Sequence, residues 1–418
     1  MAYSATPSLG AIHSLILDLV PHLEPSPRPP GPGRPPIVPL ALLWSALLFT
    51  MLDGPLSQRA VWSRITSGGI PRYPALVVTN EAIRQRLLSM DPATMADAFA
   101  TITAACQATL APHSSVPAFP GGIFALDTTT LDKVARPLLG ETERPLAGRI
   151  HTLYDVSRQL FHTVILTPKP REHEQVAAPD LLAQVPPRSL VVMDRGYTSY
   201  PRFDALTAQG QAFITRLREN AAFTTRHVMS DTPEVRDELI WLGAYRADRA
   251  GQTYRLVTIR TRQAARRYLT NVLKPTILSP AQVAACYRER WEIERAFATL
   301  KGDLGLAWIW SRRTEVIWLQ VWATLLLAQI MSAVRGAVAA RAEVPIAQVS
   351  MTLLIRSAPT LLAGREGDLI EIMARDGPNW GLIRPVRRVT IDLPEDVPWT
   401  PWPGDWQMTR ASRYARKP

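Results

Sequence analysis

Apolar and polar positions recur along this chain in two different rhythms, and the change between them divides it. From residue 8 to about 110 the spacing is helical, in segments at 8–21, 39–52, 55–65, 80–90 and 92–110. Asn80 opens one of these segments. Asp91-Pro92 pairs an N-cap with a proline at the first helical position, where its missing N–H removes no bond. A Pro-rich stretch at 25–36 carrying Arg28 and Arg34 reads as a linker. These segments predict a helical N-terminal domain over 1–115, with Arg59, Arg64, Arg84 and Arg86 as candidate DNA contacts.

The rhythm changes at 117–122. Ile123-Phe124-Ala125-Leu126-Asp127-Thr128-Thr129-Thr130 is an apolar run followed by β-formers, a strand with Asp127 inside it. Strands at 148–156 and 160–167, joined by a turn at Ser157-Arg158, complete an antiparallel meander. A helix at 174–184 follows, and then a strand at 189–193 that runs into Asp194-Arg195-Gly196-Tyr197. A helix at 201–209 and a fifth strand at 212–217 end this region. The expectation is an α/β chain whose core, a mixed five-stranded sheet with helices, begins at 116–217. It is interrupted by β-like runs at 223–228, 238–242, 254–260 and 268–273, a β-rich insertion over 218–278.

The core resumes over 279–345 with the stretch 286–302, which lacks proline, ends at Gly302 and places Ile293, Phe297 and Leu300 on one helical face. At 100° per residue Tyr287, Arg290, Glu294 and Lys301 fall within an arc of about 60° beside that face. Glu289 and Glu292 point elsewhere. A C-terminal helical and basic region fills 346–418, with Arg384, Arg387, Arg388, Arg410, Arg413, Arg416 and Lys417.

Charge narrows the partners. The formal net charge is +11, and of the 47 basic residues only five are lysine, Lys301 among them. An excess of this sign favours an anionic partner. Arg255, Arg260, Arg262, Arg266 and Arg267 make the later insertion basic, a candidate phosphate-binding surface. Two cysteines, Cys106 and Cys286, give neither a disulfide framework nor a metal cluster, and fit a reducing cytoplasm. The apolar run 37–52 is too short to span a membrane and contains Pro39. The 316–334 run is uncharged but carries Gln320, Thr324, Gln329 and Ser332, and reads as a helix buried on all sides.

Three motifs carry a resemblance. Asp127-Thr128-Thr129-Thr130, Asp194-Arg195-Gly196-Tyr197 and the spacing Tyr287-x2-Arg290-x3-Glu294-x6-Lys301 resemble the signatures of DDE transposases of the insertion sequence four family. The resemblance implies a ribonuclease H-like catalytic core. It also implies a catalytic and metal-binding set of Asp127, Asp194 and Glu294 holding two Mg2+ ions, for which Mn2+ substitutes. Tyr287, Arg290 and Lys301 would hold DNA phosphates. The partners implied are double-stranded DNA, as transposon-end inverted repeats and target, and a second copy of the chain in a synaptic homodimer, with no membrane. The implied location is a bacterial cytoplasm, at the nucleoid when DNA is bound.

In relatives with this insertion an aromatic residue stabilises a flipped base. Trp241 is the candidate here by location, against the ordinary reading of a packed strand tryptophan. His173, near Arg171, is a weaker candidate contact. Two alternatives stay open: a ribonuclease H-like nuclease without strand transfer, and an inactive transposase-derived DNA-binding regulator. An acidic-pair glycosidase would leave the positive charge and Lys301 without a role.

Overall fold

The computed structural model describes residues 37–385, 397–404, 406 and 410, apart from 55, 111–115, 132–147, 170, 244–248, 262–263, 312 and 358–366. The expected helix at 8–21, the linker at 25–36 and the basic residues Arg387, Arg388, Arg413, Arg416 and Lys417 lie outside the described residues.

Among the described residues four helices come first: α1 (Leu40–Asp53), α2 (Gln58–Thr66), α3 (Asn80–Leu88) and α4 (Pro92–Thr109). Asp91 caps α4 as expected, its side chain accepting from Ala93 N–H, whereas α3 is capped by Thr79 and not by Asn80. α1 is apolar around most of its circumference and is buried accordingly.

Nine strands of the described residues then form one sheet. They are β1 (Ile123–Thr130), β2 (Arg149–Asp155), β3 (Leu160–Thr167), β4 (Leu190–Met193), β5 (Ala212–Arg216), β6 (Phe223–Asp231), β7 (Val235–Leu242), β8 (Tyr254–Arg260) and β9 (Ala265–Thr270), in spatial order β3-β2-β1-β4-β5-β9-β8-β7-β6. β1, β4 and β5 are parallel, and β2 and β3 pair antiparallel on the β1 side. The expected five strands are thus the first five positions of a larger sheet. The inserted strands continue it because β9 pairs antiparallel with β5, Ile214 opposite Thr270.

Between the parallel strands run α5 (Ala178–Leu182), shorter than the expected helix, and α6 (Tyr200–Ala208). The parallel strands are buried on both faces, which is why they read as unbroken apolar runs. On one side Ile123, Ala125, Leu190, Val192 and Ile214 join the core of the N-terminal helices and the later helices. On the other, Phe124, Leu126, Val191, Met193 and Phe213 pack with Leu181, Phe203 and Leu206.

The chain continues through α7 (Pro280–Glu289), α8 (Trp291–Ala298), a π-helical turn (Thr299–Asp303) and the long α9 (Thr314–Arg341), then α10 (Met351–Arg356) and α11 (Leu369–Asp376). α9 is long and apolar enough to cross a membrane, yet 89% of its most apolar window is buried inside the molecule. Its polar residues explain this. Gln329 donates to the Thr103 hydroxyl (2.7 Å) and Phe161 carbonyl (2.8 Å) and accepts from Phe161 N–H (3.0 Å), tying α9 to α4 and to the edge strand β3. Gln320 donates to the Trp308 carbonyl and fixes the loop before the helix.

Candidate active site

The parallel ladder between β1 and β4 ends at the pair Leu126 and Met193. The next residues, Asp127 and Asp194, therefore stand where the two strands part. This is the carboxyl end of parallel strands, where open α/β sheets present ligands. Asp127 is held by the Thr128 N–H on Oδ1 at 2.8 Å. Asp194 caps a 3₁₀ turn over Arg195–Tyr197 by accepting from Gly196 N–H. A Cβ at Gly196 would meet the Glu174 carboxylate, the movable end of a half-buried side chain.

The third carboxylate arrives on α8. The expected continuous helix over 286–302 is two helices and a wider turn. α7 starts earlier, at a Ser279/Gln282 capping box with Pro280 in the first turn. The chain tightens at Arg290: its N–H bonds the Tyr287 carbonyl and its carbonyl accepts from Ile293 N–H, both three residues apart. Three of the four signature side chains reach the strand ends directly, and Glu294 is joined to them through Arg290. Tyr287 donates to Asp194 Oδ1 at 3.4 Å. Arg290 bridges two acids, Nη1 to Asp127 Oδ2 at 3.0 Å and Nη2 to Glu294 Oε1 at 2.7 Å. Lys301, on the π turn, donates to the Thr129 hydroxyl of β1. Glu292 points away as expected, buried and bonded to Arg295 and Gln159.

Burial pushes the Asp127 carboxyl up to about 6. The charges of Glu294 and Asp194 add to the rise, and the Thr128 N–H and Arg290 oppose it. The Tyr287 phenol is pushed up to about 12, by burial first and by Asp194, against Arg290 and Arg216. Three carboxylates act on one another here, with one guanidinium inserted between two of them. Among the described residues no group of three or more His, Cys, Asp or Glu stands ready to hold a metal ion.

Other sequence candidates fall elsewhere. Trp241 lies on β7, its indole N–H bonded to the Thr253 hydroxyl and its ring against the guanidinium groups of Arg226 (4.1 Å) and Arg410 (5.4 Å). Arg255 belongs to no surface: it is fully buried and paired with Asp237. Arg260 is paired with Asp231, while Arg266 is exposed. In the N-terminal helices Arg64 pairs with Asp53, Arg84 with Glu81, and Arg86 bonds the Val38 carbonyl; Arg59 is exposed. His173 accepts from Gln175 N–H in a local turn.

Residues 123–330, from the start of β1 to within α9, match the family model described as the transposase DDE domain. The match supports a DDE transposase and includes Asp127, Asp194 and Glu294. No curated protein matches the chain. One similar solved structure is the cryo-EM structure of the piggyBac transposase synaptic complex with hairpin DNA. It has 13% identity and a TM-score of 0.43, over 92% of this chain and 85% of that one.

Proposed function

We propose that this chain is a DNA transposase of a bacterial insertion sequence, of the insertion sequence four type, with a ribonuclease H-like core. It would cut at terminal inverted repeats and join the ends to target DNA. The observation that carries the reading is that Arg290 bonds Asp127 of β1 and Glu294 of α8 at once, while Tyr287 bonds Asp194 and Lys301 bonds Thr129.

The donor set suits hard divalent cations such as Mg2+, which take a few carboxylate oxygens and keep much of their water. The Asp127 carboxyl is pushed up to about 6 by burial first, and the charges of Glu294 and Asp194 add to the rise. Asp127, Asp194 and Glu294 would hold the ions, and Arg290 would give up its place between Asp127 and Glu294. When bound, two such ions neutralise charge on the attacking and leaving oxygens of a phosphodiester. Released from the acids, Arg290 offers a planar fork to a phosphate flanking the scissile bond. Lys301 adds a point charge and Tyr287 a hydrogen bond. Pairing two ends in one complex calls for a homodimer on DNA.

The test incubates the purified protein with linear duplex carrying the inverted repeats that flank its coding sequence, with and without Mg2+. Expected are end cleavage and joining to a target plasmid only with the metal, and loss of both in Asp127→Ala and Glu294→Ala while binding persists. Tight binding without cleavage by the wild type would establish a regulator. Cleavage without joining would establish a nuclease. Cleavage that survives Asp127→Ala would sink the site.

A further inference from the structure

Behind Asp127, on the opposite face of β1, three polar side chains meet, the half-buried Thr128 and the buried His151 and Tyr197. The Thr128 hydroxyl lies 2.9 Å from the Tyr197 hydroxyl and 2.9 Å from His151 Nδ1 on β2. His151 is fully buried and Tyr197 is 1% exposed. The other ring nitrogen of His151, Nε2, is buried without a hydrogen bond and has the Glu172 carboxylate 3.9 Å away.

A hydroxyl has one proton, so the direction of this chain can be worked out. If Tyr197 donates to Thr128, and Thr128 to an unprotonated Nδ1, every hydroxyl proton is used. The imidazole proton then sits on Nε2, facing the Glu172 carboxylate. The reverse order strands the Tyr197 proton in the interior and turns a lone pair of Nε2 toward a carboxylate. The first order leaves fewer buried groups unsatisfied.

The chain closes a gap in the sheet. Ladder bonds between β1 and β4 stop at Leu126 and Met193, immediately before the two aspartates. Beyond that point the strand ends are linked from behind. Asp127 Oδ1 accepts from Thr128 N–H, the Thr128 hydroxyl meets Tyr197, and Tyr197 N–H bonds the Asp194 carbonyl at 3.0 Å. His151 holds the middle of that link from the neighbouring strand.

We propose that His151 and Tyr197 are positioning residues that act through Thr128 to fix the spacing of Asp127 and Asp194. This rests on the DNA-cleavage reading above. It predicts an effect on the chemical step at constant DNA affinity, because neither residue lies on the face that carries the carboxylates.

The test measures single-turnover cleavage and affinity on the flanking-repeat duplex for Tyr197→Phe, His151→Leu and His151→Asn, the last of which keeps an acceptor near the Nδ1 position. Tyr197→Phe and His151→Leu are expected to cleave on the order of tenfold slower or worse, with affinity within about twofold of wild type. His151→Asn should recover most of the rate, and the double variant should be no slower than the slower single variant, since both act on Thr128. Wild-type rates in the single variants, a parallel fall in rate and affinity, or a His151→Asn as slow as His151→Leu would each overturn the proposal. Hydrogen exchange over residues 194–198 reads the link independently of cleavage and should quicken in Tyr197→Phe and His151→Leu. Unchanged exchange there overturns the proposal. Quickened exchange in a protein that cleaves nothing supports the link and contradicts the transposase reading alone.

Discussion

Two buried arginines, Arg255 on a strand of the sheet and Arg290 at the junction of α7 and α8, are handled in opposite ways. Arg255, on β8 of the inserted strands, makes a two-pronged bond to Asp237 at 2.8 and 2.7 Å and donates its remaining nitrogen to the Leu278 carbonyl at 2.6 Å. It anchors the segment that leads into α7. Arg290 also touches two carboxylate oxygens, but on two different acids, and its buried Nε has no hydrogen-bond partner. One site is closed, with one charge against one charge and its donors used. The other is open, with one guanidinium shared between two acids and a donor left over. A closed pair fits an anchor, and an open one fits a group that changes partners.

The largest expected contrast is in activity. Asp127→Ala or Glu294→Ala should bring DNA cleavage below detection in a single-turnover assay with the fold intact by circular dichroism. Arg255→Ala should cost about 3–5 kcal/mol in denaturant unfolding, because it leaves Asp237 charged and alone in the interior. If Arg255→Ala unfolds at wild-type denaturant concentration, its pair is not the anchor described.

The acids set a pH dependence in the metal-free protein. Because the folded Asp127 carboxyl is raised from 3.8 to about 6, the native state holds a proton that the unfolded chain has released between those values. Stability should therefore fall as pH rises from about 4 to about 6, by up to about 3 kcal/mol, relative to Asp127→Asn. Parallel curves for the two proteins in EDTA would contradict this.

Arg290→Ala should cost less than Arg255→Ala, under about 2 kcal/mol, since a raised Asp127 can take up a proton in its place. Added Mn2+ should then raise its melting temperature more than that of wild type. The smallest effect belongs to Trp241→Phe, which loses one hydrogen bond and keeps a ring against Arg226 and Arg410. About 1 kcal/mol and unchanged cleavage are expected. A selective loss of cleavage would return Trp241 to the DNA-facing role its location first raised.

Much of this was legible in the chain. The strands carrying Asp127 and Asp194 are marked by apolar runs that stop at an acid, and the stripe of Ile293, Phe297 and Leu300 puts Glu294 on the side of Arg290 and Glu292 on the side of Arg295 and Gln159. The break at Arg290 was not legible, because a helix tightened by one bond keeps nearly the same periodicity as a continuous one. Nor was the burial of Arg255, since a basic residue on a strand looks the same in sequence whether or not an aspartate on the next strand awaits it. The joining of the inserted strands to the core sheet depends on β5 and β9 pairing across more than 50 residues, from Ile214 to Thr270, and local pattern does not specify such a partner. Tyr197 and Thr128 lay in plain view within the two aspartate motifs. Their bond required knowing that the ladder ends between them.

The claim that Asp127, Asp194 and Glu294 form one cation-binding set is tested most directly by titrating Mn2+ into the protein and following the free ion by electron paramagnetic resonance. Wild type bound to its end duplex should take up about two ions per chain. Asp127→Ala, Asp194→Ala and Glu294→Ala should each bind fewer or more weakly, and Glu292→Gln should match wild type. Equal binding by all five proteins, or none by the wild type, would contradict the account.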